Sequence, residues 1–500
     1  MASHRPAEVL YIHPAKQGVG FPYERQAADV PYVLFPVGVI GLMNLLRREG
    51  IAVRGLNEPL ERLLDLSFDL GAWLKEQAPP CLILIDLHWY EHAYGALEVA
   101  RLCKRIFPQV PIALGGLTAS GFAQEILYAF HEIDLIVRGD AEEPLRCLVR
   151  ALCLEGKSLG DVPLAEIPNL SYRREWEVCH NPLTYVASAQ DLDALDFVDV
   201  SFLEHARYYR GLQYAGDPRP YVLAEGPPKL GHWLSIGRGC TYDCAFCGGG
   251  AACQARLAGR ARLVARSTSR VVSDLEALAA QGVHQAALSL DPCLFGQAYW
   301  EALFAQMRAR GVRIGLYNEC FTLPPAGFVR AFGRTADLAH SQLALSVLSG
   351  EAVRHLNGKP FSDVQLWRAL SLLKAERIPI AVYFSLNLPG ETERTFAQAL
   401  DLAERIGRFY PSSLLQMFGQ PHTVDPFSPM SLHPERYGLE VRLRTFMDYY
   451  AYCRRTAVHD PTLGVEEKHG FRSLDRASGE ADRILASWRA FAQSQPFHCE

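Results

Sequence analysis

The chain has 500 residues, 49% of them hydrophobic and 21% charged, enough for about three domains and a sizeable core. A net charge of −5 gives no basic footprint for nucleic acid, and thirteen cysteines spread over so long a chain do not frame a small secreted scaffold. Met1 to Glu8 holds no apolar signal core, and the uncharged run from Tyr32 to Leu46 contains Pro36 and is shorter than the roughly 20 residues of a spanning helix. The expectation is a soluble, cytoplasmic protein of a reducing, low-oxygen interior, with no membrane and no nucleic-acid partner.

Apolar runs and helical spacing alternate through the first domain, residues 1–160. Strands are expected over 8–13, 51–56, 81–86, 110–114 and 133–137, and helices over 37–48, 60–76 and 94–107. Residues 81–86 are almost wholly apolar, as in a strand buried on both faces. Strands alternating with helices argue for a doubly wound parallel sheet, Rossmann-like, with ligands at the carboxyl ends of its strands. The fourth strand runs into Gly115-Gly116-Leu117-Thr118 and the fifth into Gly139-Asp140-Ala141-Glu142. The glycine pair allows close approach of backbone to a ligand, and Thr118 and Ser120 can donate hydrogen bonds; the other reading is a plain turn.

Residues 161–230 read as a linker with one short strand near Leu170; its tyrosines Tyr208, Tyr209, Tyr214 and Tyr221 carry no assigned role. Alternation resumes over 231–410. A strand over 233–236 delivers Gly237-Arg238-Gly239-Cys240-Thr241-Tyr242-Asp243-Cys244-Ala245-Phe246-Cys247. Further strands are expected over 285–290, 312–317, 341–347 and 380–385, each ending in polar residues: Asp291, Glu319, Ser349 and Asn387. This is a (β/α) partial TIM barrel with its chemistry at the strand ends. Residues 411–500 lack the alternation and read as a mainly helical extension, with helices over 439–455 and 480–493.

Three cysteines on so short a loop can converge on one metal centre. A zinc site or a closed iron–sulfur cluster wants a fourth ligand, and none sits at ligand spacing, although Cys253 is near. Three thiolates on a cubane leave one iron open to a non-protein ligand. The alternative is three buried thiols acting as small hydrophobes. The loop, with Phe246 just before its last cysteine, resembles that of the radical S-adenosylmethionine (radical SAM) superfamily.

That resemblance implies a 4Fe-4S cluster on Cys240, Cys244 and Cys247. It implies S-adenosyl-L-methionine beside Phe246, Gly248, Gly249, Asp291, Glu319, Ser346, Ser349 and Leu388. Each of these turns taken singly reads equally as an ordinary strand-to-helix connection. The first domain looks like the cobalamin-binding domain that precedes many radical SAM modules. The resemblance then implies cobalamin near Gly115, Gly116, Leu117, Thr118, Gly139, Asp140 and Glu142. The Asp-x-His-x-x-Gly of cobalt-ligating domains is missing from residues 14–36, and Asp86-Leu87-His88 follows the third strand instead, with Glu91 where glycine belongs. Cobalamin bound without a protein histidine on cobalt is the expectation, its lower face toward His88, Trp89 and Tyr90; the alternative is that these three pack the sheet edge.

The implied function is a cobalamin-dependent radical SAM methyltransferase acting on an unactivated carbon of a small-molecule substrate. It would work through a 5′-deoxyadenosyl radical and methylcobalamin, fed by an external electron donor of flavodoxin or ferredoxin type. A cyclase or rearrangement enzyme without methyl transfer, and a non-catalytic cobalamin sensor, are the alternatives. Methylthiolation of tRNA is disfavoured because neither a basic terminal domain nor a second cysteine triplet is evident.

Overall fold

The computed structural model describes residues 8–16, 33–215, 229–455 and 462–500, so Tyr221 and most of the loop over 14–36 lie outside the described residues. The chain forms two compact units: Met1–Leu212 with Ala252–Ala261 and Arg444–His459, and Gln213–Ala251 with Arg262–Leu443 and Asp460–Glu500.

The first unit is built on a sheet of seven strands. These are β1 (Val9–His13), β2 (Val53–Asn57), β3 (Leu82–Asp86), β4 (Ile112–Gly115), β5 (Leu135–Val137), β6 (Leu170–Arg174) and β7 (Glu177–His180), ordered β2-β1-β3-β4-β5-β6-β7. β1 to β5 pair in parallel, and β1 and β3 are buried at every position, which explains their unbroken apolar sequences. The order reverses between β1 and β3, so the ligand crevice of such a sheet falls at His13 and Asp86. β6 and β7 add antiparallel to this sheet, so the expected linker is partly sheet, with two strands where one was expected.

Helices follow the expected positions with two corrections. Residues 60–76 form two helices, Glu58–Leu64 and Leu70–Lys75. Asp65 accepts from the Ser67 amide and Asp69 from the amides of Gly71 and Ala72, so short acidic side chains take over backbone donors and break the run. The helix expected over 439–455 begins only at Phe446, after Thr445 and Asp448 close a capping box; residues 439–441 are a strand. That helix, Phe446–Arg454, packs on the first unit through Tyr449 against Tyr90 and Phe122, and through Tyr450 against Tyr94 and Phe130.

The second unit carries β8 (Gly231–Leu234), the short antiparallel pair β9 (Gly237–Arg238) and β10 (Val264–Ala265), then β11 (Gln285–Leu288), β12 (Gly315–Cys320), β13 (Gln342–Leu348), β14 (Ile380–Leu386) and β15 (Leu415–Pro421). β16 (Leu439–Val441) and β17 (Phe471–Ser473) form a separate antiparallel pair, and β18 (His498–Cys499) closes the series. The main sheet runs β18-β15-β14-β13-β12-β11-β8, all parallel. Residues 411–500 therefore supply two strands to the barrel sheet, β15 and β18, in a stretch where no alternation was read. One end of the sheet is closed by main chain: a Cβ on Gly231 would lie 2.1 Å from the Gln213 carbonyl oxygen and one on Gly315 2.2 Å from that of His340. Gln285 stitches this end, accepting from the Ala215 amide and donating to the carbonyls of Ala215 and His340.

Candidate functional site

β8 and β9 deliver the cysteine loop. The loop is held by backbone: the Ala245 amide donates to the Asn357 carbonyl, the Met430 amide to the Ala245 carbonyl, and the Ala251 amide to the Tyr242 carbonyl. Gly358 must be small, since a Cβ there would stand 3.0 Å from the Cys244 Cα. The amides of Tyr242 and Gly249 point at the Sγ atoms of Cys240 and Cys247, each at 3.4 Å, which favours thiolate. Burial, then Asp425, then the two neighbouring thiols push the Cys247 thiol up to about 12; burial raises Cys244, with Lys359 opposing and Cys240 adding.

No three Cys, His, Asp or Glu side chains among the described residues converge as ligands of a single ion. Yet Cys240 and Cys244 both add to the Cys247 shift, so the three thiols are electrostatic neighbours. A donor set of three neighbouring thiols, too spread for one ion, fits a cubane, whose cysteines each take a different iron. Cys253 is buried in the helix Ala251–Ala258.

Beside the loop, Phe246 packs on Leu348, Val353 and Leu388 and lies over the His422 ring, centroids 4.5 Å apart at 30°. His422 is fixed by a 2.8 Å hydrogen bond between its Nε2 and the Ser385 hydroxyl, and burial lowers its pKa to about 4, so it stands neutral. The walls of this apolar slot are strained: Leu348 and Asn387, at the ends of β13 and β14, have φ of +67°. Glu391 holds the second wall in place. Its carboxylate accepts from the Ser349 hydroxyl (2.9 Å) and the Asn387 amide (2.8 Å), while Arg476 donates to Asn387 Oδ1 and to the carbonyls of Leu388 and Glu391. Burial pushes Glu391 up to about 7 against the pull of Arg476.

The structure brings Phe246, Ser349 and Leu388 together around this slot. It spends two other expected ligands on the fold. Asp291 is 1% exposed and accepts from the amides of Cys293 and Phe321; Gly248 donates its amide to Asp425 at 2.7 Å. Ser346 and Glu319 lie on the inward face of β13 and β12. Glu319 is exposed and stands on the same side of β12 as Tyr317.

At the first unit's crevice, Gly116 (φ +113°) is needed for contact within the protein. A Cβ there would lie 2.5 Å from the His88 Cα. Thr118 donates its hydroxyl to the His88 carbonyl, and Ser120 links the Gly116 carbonyl to the Gly139 amide. Gly139 (φ +65°) abuts the Ala258 backbone, and buried Asp140 accepts from the Ala187 amide and pairs with Arg260. Glu142 is buried in the first turn of its helix, Leu117 opens the helix after Gly116, and Gly115 ends β4. These turns hold three strand ends together. Tyr90 turns away into packing on Tyr449 and accepts from the Cys453 thiol. His88 and Trp89 remain half-buried, edge to face at 4.9 Å, with His88 lowered to about 4 by burial. Next to them stands a cluster that the sequence reading missed. Asp86 accepts from Tyr11 at 2.7 Å and pairs with His13 at 2.9 Å, and the His13 ring meets His92 at 4.9 Å.

Comparison with known proteins identifies one segment of the chain by family. Residues 234–403 match the radical SAM superfamily, so this segment is a radical SAM domain. The particular likeness is to two solved proteins. The radical S-adenosylmethionine methyltransferase TsrM from Kitasatospora setae, with cobalamin and an iron–sulfur cluster bound, superposes with a TM-score of 0.63 at 17% identity, covering 98% of this chain and 89% of that one. The cobalamin-dependent S-adenosylmethionine radical enzyme OxsB gives 0.58 at 13%, covering 98% and 67%. At such identities the likeness is one of fold, and it spans both units. Among curated proteins, tRNA-2-methylthio-N(6)-dimethylallyladenosine synthases from Opitutus terrae and Halorhodospira halophila are 30% and 26% identical over 36% and 63% of this chain. The chain spans 39% and 58% of the length of these relatives. No helix among the described residues is long and apolar enough to cross a membrane.

Proposed function

We propose that the protein is a cobalamin-dependent radical SAM enzyme that methylates an unactivated carbon of a small molecule. The observation that carries this is a three-thiol loop with no fourth cysteine at ligand spacing in the sequence, set beside an apolar aromatic slot at the barrel strand ends. Cys240, Cys244 and Cys247 would hold a 4Fe-4S cluster. Phe246, Leu388 and Ser349, with Gly249 and Ser346 around them, would hold S-adenosyl-L-methionine. The crevice at His88, Trp89, Gly115 and Gly116, backed by Leu117, Thr118, Gly139, Asp140 and Glu142, would hold cobalamin with no histidine on cobalt. Bound together, these groups supply a carbon-centred radical and a transferable methyl, given electrons by a flavodoxin- or ferredoxin-type donor.

The chain's own contribution is position and dryness. Phe246 and neutral His422 offer flat faces on which a purine can stack, and Leu348, Val353 and Leu388 exclude water from that slot. Arg476 and Glu391 keep the Leu388 turn in its strained form. The half-buried Trp89 indole would present a bulky face without a metal-ligating atom to a cobalamin held at this crevice.

The test is anaerobic incubation of the reconstituted chain with reductant, S-adenosylmethionine, cobalamin and candidate substrates, with product mass and 5′-deoxyadenosine as readouts. A product heavier by one methylene supports methylation, and an unchanged mass supports rearrangement. The names of the curated relatives favour a second reading, methylthiolation of a tRNA base, which would add sulfur as well.

A further inference from the structure

The inward face of the second unit's sheet is hollow. Ala287 on β11, Ala344 on β13 and Ala381 on β14 share this face, where larger side chains would fill the barrel. Around them stand Trp233, Tyr317, Tyr383 and Phe418, of which Trp233, Tyr383 and Phe418 are only half-buried although they lie inside the sheet. Trp233 meets Tyr317 edge to face at 5.7 Å, and Tyr383 stacks on Phe418 at 4.9 Å.

Glu319 enters this hollow one inward position beyond Tyr317 on β12. Its hydrogen bond in the protein comes from the Tyr317 hydroxyl at 3.4 Å, too long to satisfy a carboxylate. Lys359 acts on it at longer range, but its ammonium donates to the Phe321 carbonyl and lies over the Tyr242 and Phe321 rings. Glu500 reaches Tyr383 in the same way, and His498 meets the outer edge of Phe418 at 5.5 Å. A carboxylate that solvent reaches, flanked by aromatic rings and with no cationic side chain in contact among the described residues, is open to a cationic ligand. One carboxylate is too few ligands for a metal ion. Aromatic faces and a carboxylate together match an organic ammonium group, which gains both ion pairing and cation–π attraction.

We propose that this hollow binds the ammonium group of a small amine, held against Glu319 and boxed by Trp233, Tyr317, Tyr383 and Phe418. The substrate class is then a cationic amine with an apolar body. This rests on the reading of the barrel as the seat of radical chemistry on a small molecule.

The test uses the anaerobically reconstituted full chain saturated with S-adenosylmethionine, and titrates phenethylammonium, hydrocinnamyl alcohol and hydrocinnamate by calorimetry. The amine should bind, and the neutral and anionic analogues should bind at least about tenfold more weakly. Glu319→Gln should weaken the amine by about the same factor while keeping iron content and S-adenosylmethionine affinity. Tyr383→Leu, which removes an aromatic wall, should weaken it too. Equal binding of the three probes, no binding of the amine, or an unchanged Glu319→Gln overturns the proposal. So does an equal loss of S-adenosylmethionine affinity in Glu319→Gln, which would put Glu319 in the cofactor's own pocket. The radical reading fails separately: amine binding with no 5′-deoxyadenosine formed would leave the site standing and remove the chemistry.

Discussion

Phe246, one residue before the last cysteine of the loop, lies over the ring of His422 from the chain after β15, centroids 4.5 Å apart. An aromatic pair at the rim of an apolar slot is a stacking platform for a nucleobase. Removing one face, in His422→Ala, should weaken S-adenosylmethionine binding by about 1–3 kcal/mol while leaving iron and sulfide content unchanged. Because burial holds His422 near 4, its own protonation should not change the affinity between about pH 6 and pH 8. Equilibrium dialysis of the reconstituted protein reads both; an affinity in His422→Ala equal to wild type counts against the platform.

The turn after β14 depends on the buried Arg476 guanidinium. Arg476 threads donors onto Asn387, Leu388 and Glu391 and is electrostatically coupled to the Glu391 carboxylate. Arg476→Ala removes charged donors from three buried acceptors, so it should cost about 3–5 kcal/mol of stability. Denaturant melts of the cluster-free protein measure it, and a loss below about 1 kcal/mol would show that water replaces those donors.

Gly116→Ala should destabilise the first unit by at least about 3 kcal/mol, since a Cβ at φ +113° meets the His88 backbone at 2.5 Å. Gly160→Ala, in an exposed turn whose Cβ would meet only the Ser158 hydroxyl at 3.9 Å, is the control and should stay within about 0.5 kcal/mol. Equal melts for the two variants would mean that the crevice loops yield.

Burial holds several histidines below their ordinary value, among them His88 and His422 at about 4 and His469 at about 3. Between about pH 6.5 and pH 4 the unfolded chain binds protons that the fold refuses, so stability falls as pH drops through that window. His469→Gln should flatten the fall in melting temperature, because a glutamine oxygen can still accept from Asn387, as the His469 ring does at 2.6 Å. A wild-type melting temperature that rises from pH 6.5 to pH 4 would reverse the assignment.

Most of the strand and helix pattern was legible in the sequence because apolar period and glycine turns carry it: 81–86 reads as a buried strand and is β3, and 480–493 reads as a helix and is Glu480–Gln493. The misses have local causes. Asp65 and Asp69 break a helical period that side-chain spacing alone leaves intact, and β15 was hidden because no repeat of strand and helix follows it. Within the site, the cysteines, Phe246 and the Leu388 turn are written in spacing. His422, Arg476, His13 and His92 are single residues brought in by long-range contacts, and no local pattern marks them. Thr118, Asp140 and Asp291 stand at strand ends, where polar residues serve equally as ligand donors and as ties between strands, and the sequence alone does not show that they bond to His88, Ala187 and Cys293.

The most direct test is the yield of 5′-deoxyadenosine from S-adenosylmethionine and a low-potential reductant, measured anaerobically for the reconstituted wild type and for a variant with Cys240, Cys244 and Cys247 all changed to alanine. The account predicts cleavage by the wild type, with a cluster of four irons and four sulfides. It predicts neither cleavage nor cluster in the variant, and both retained in Cys253→Ala. A triple variant that keeps its cluster and its cleavage would contradict it.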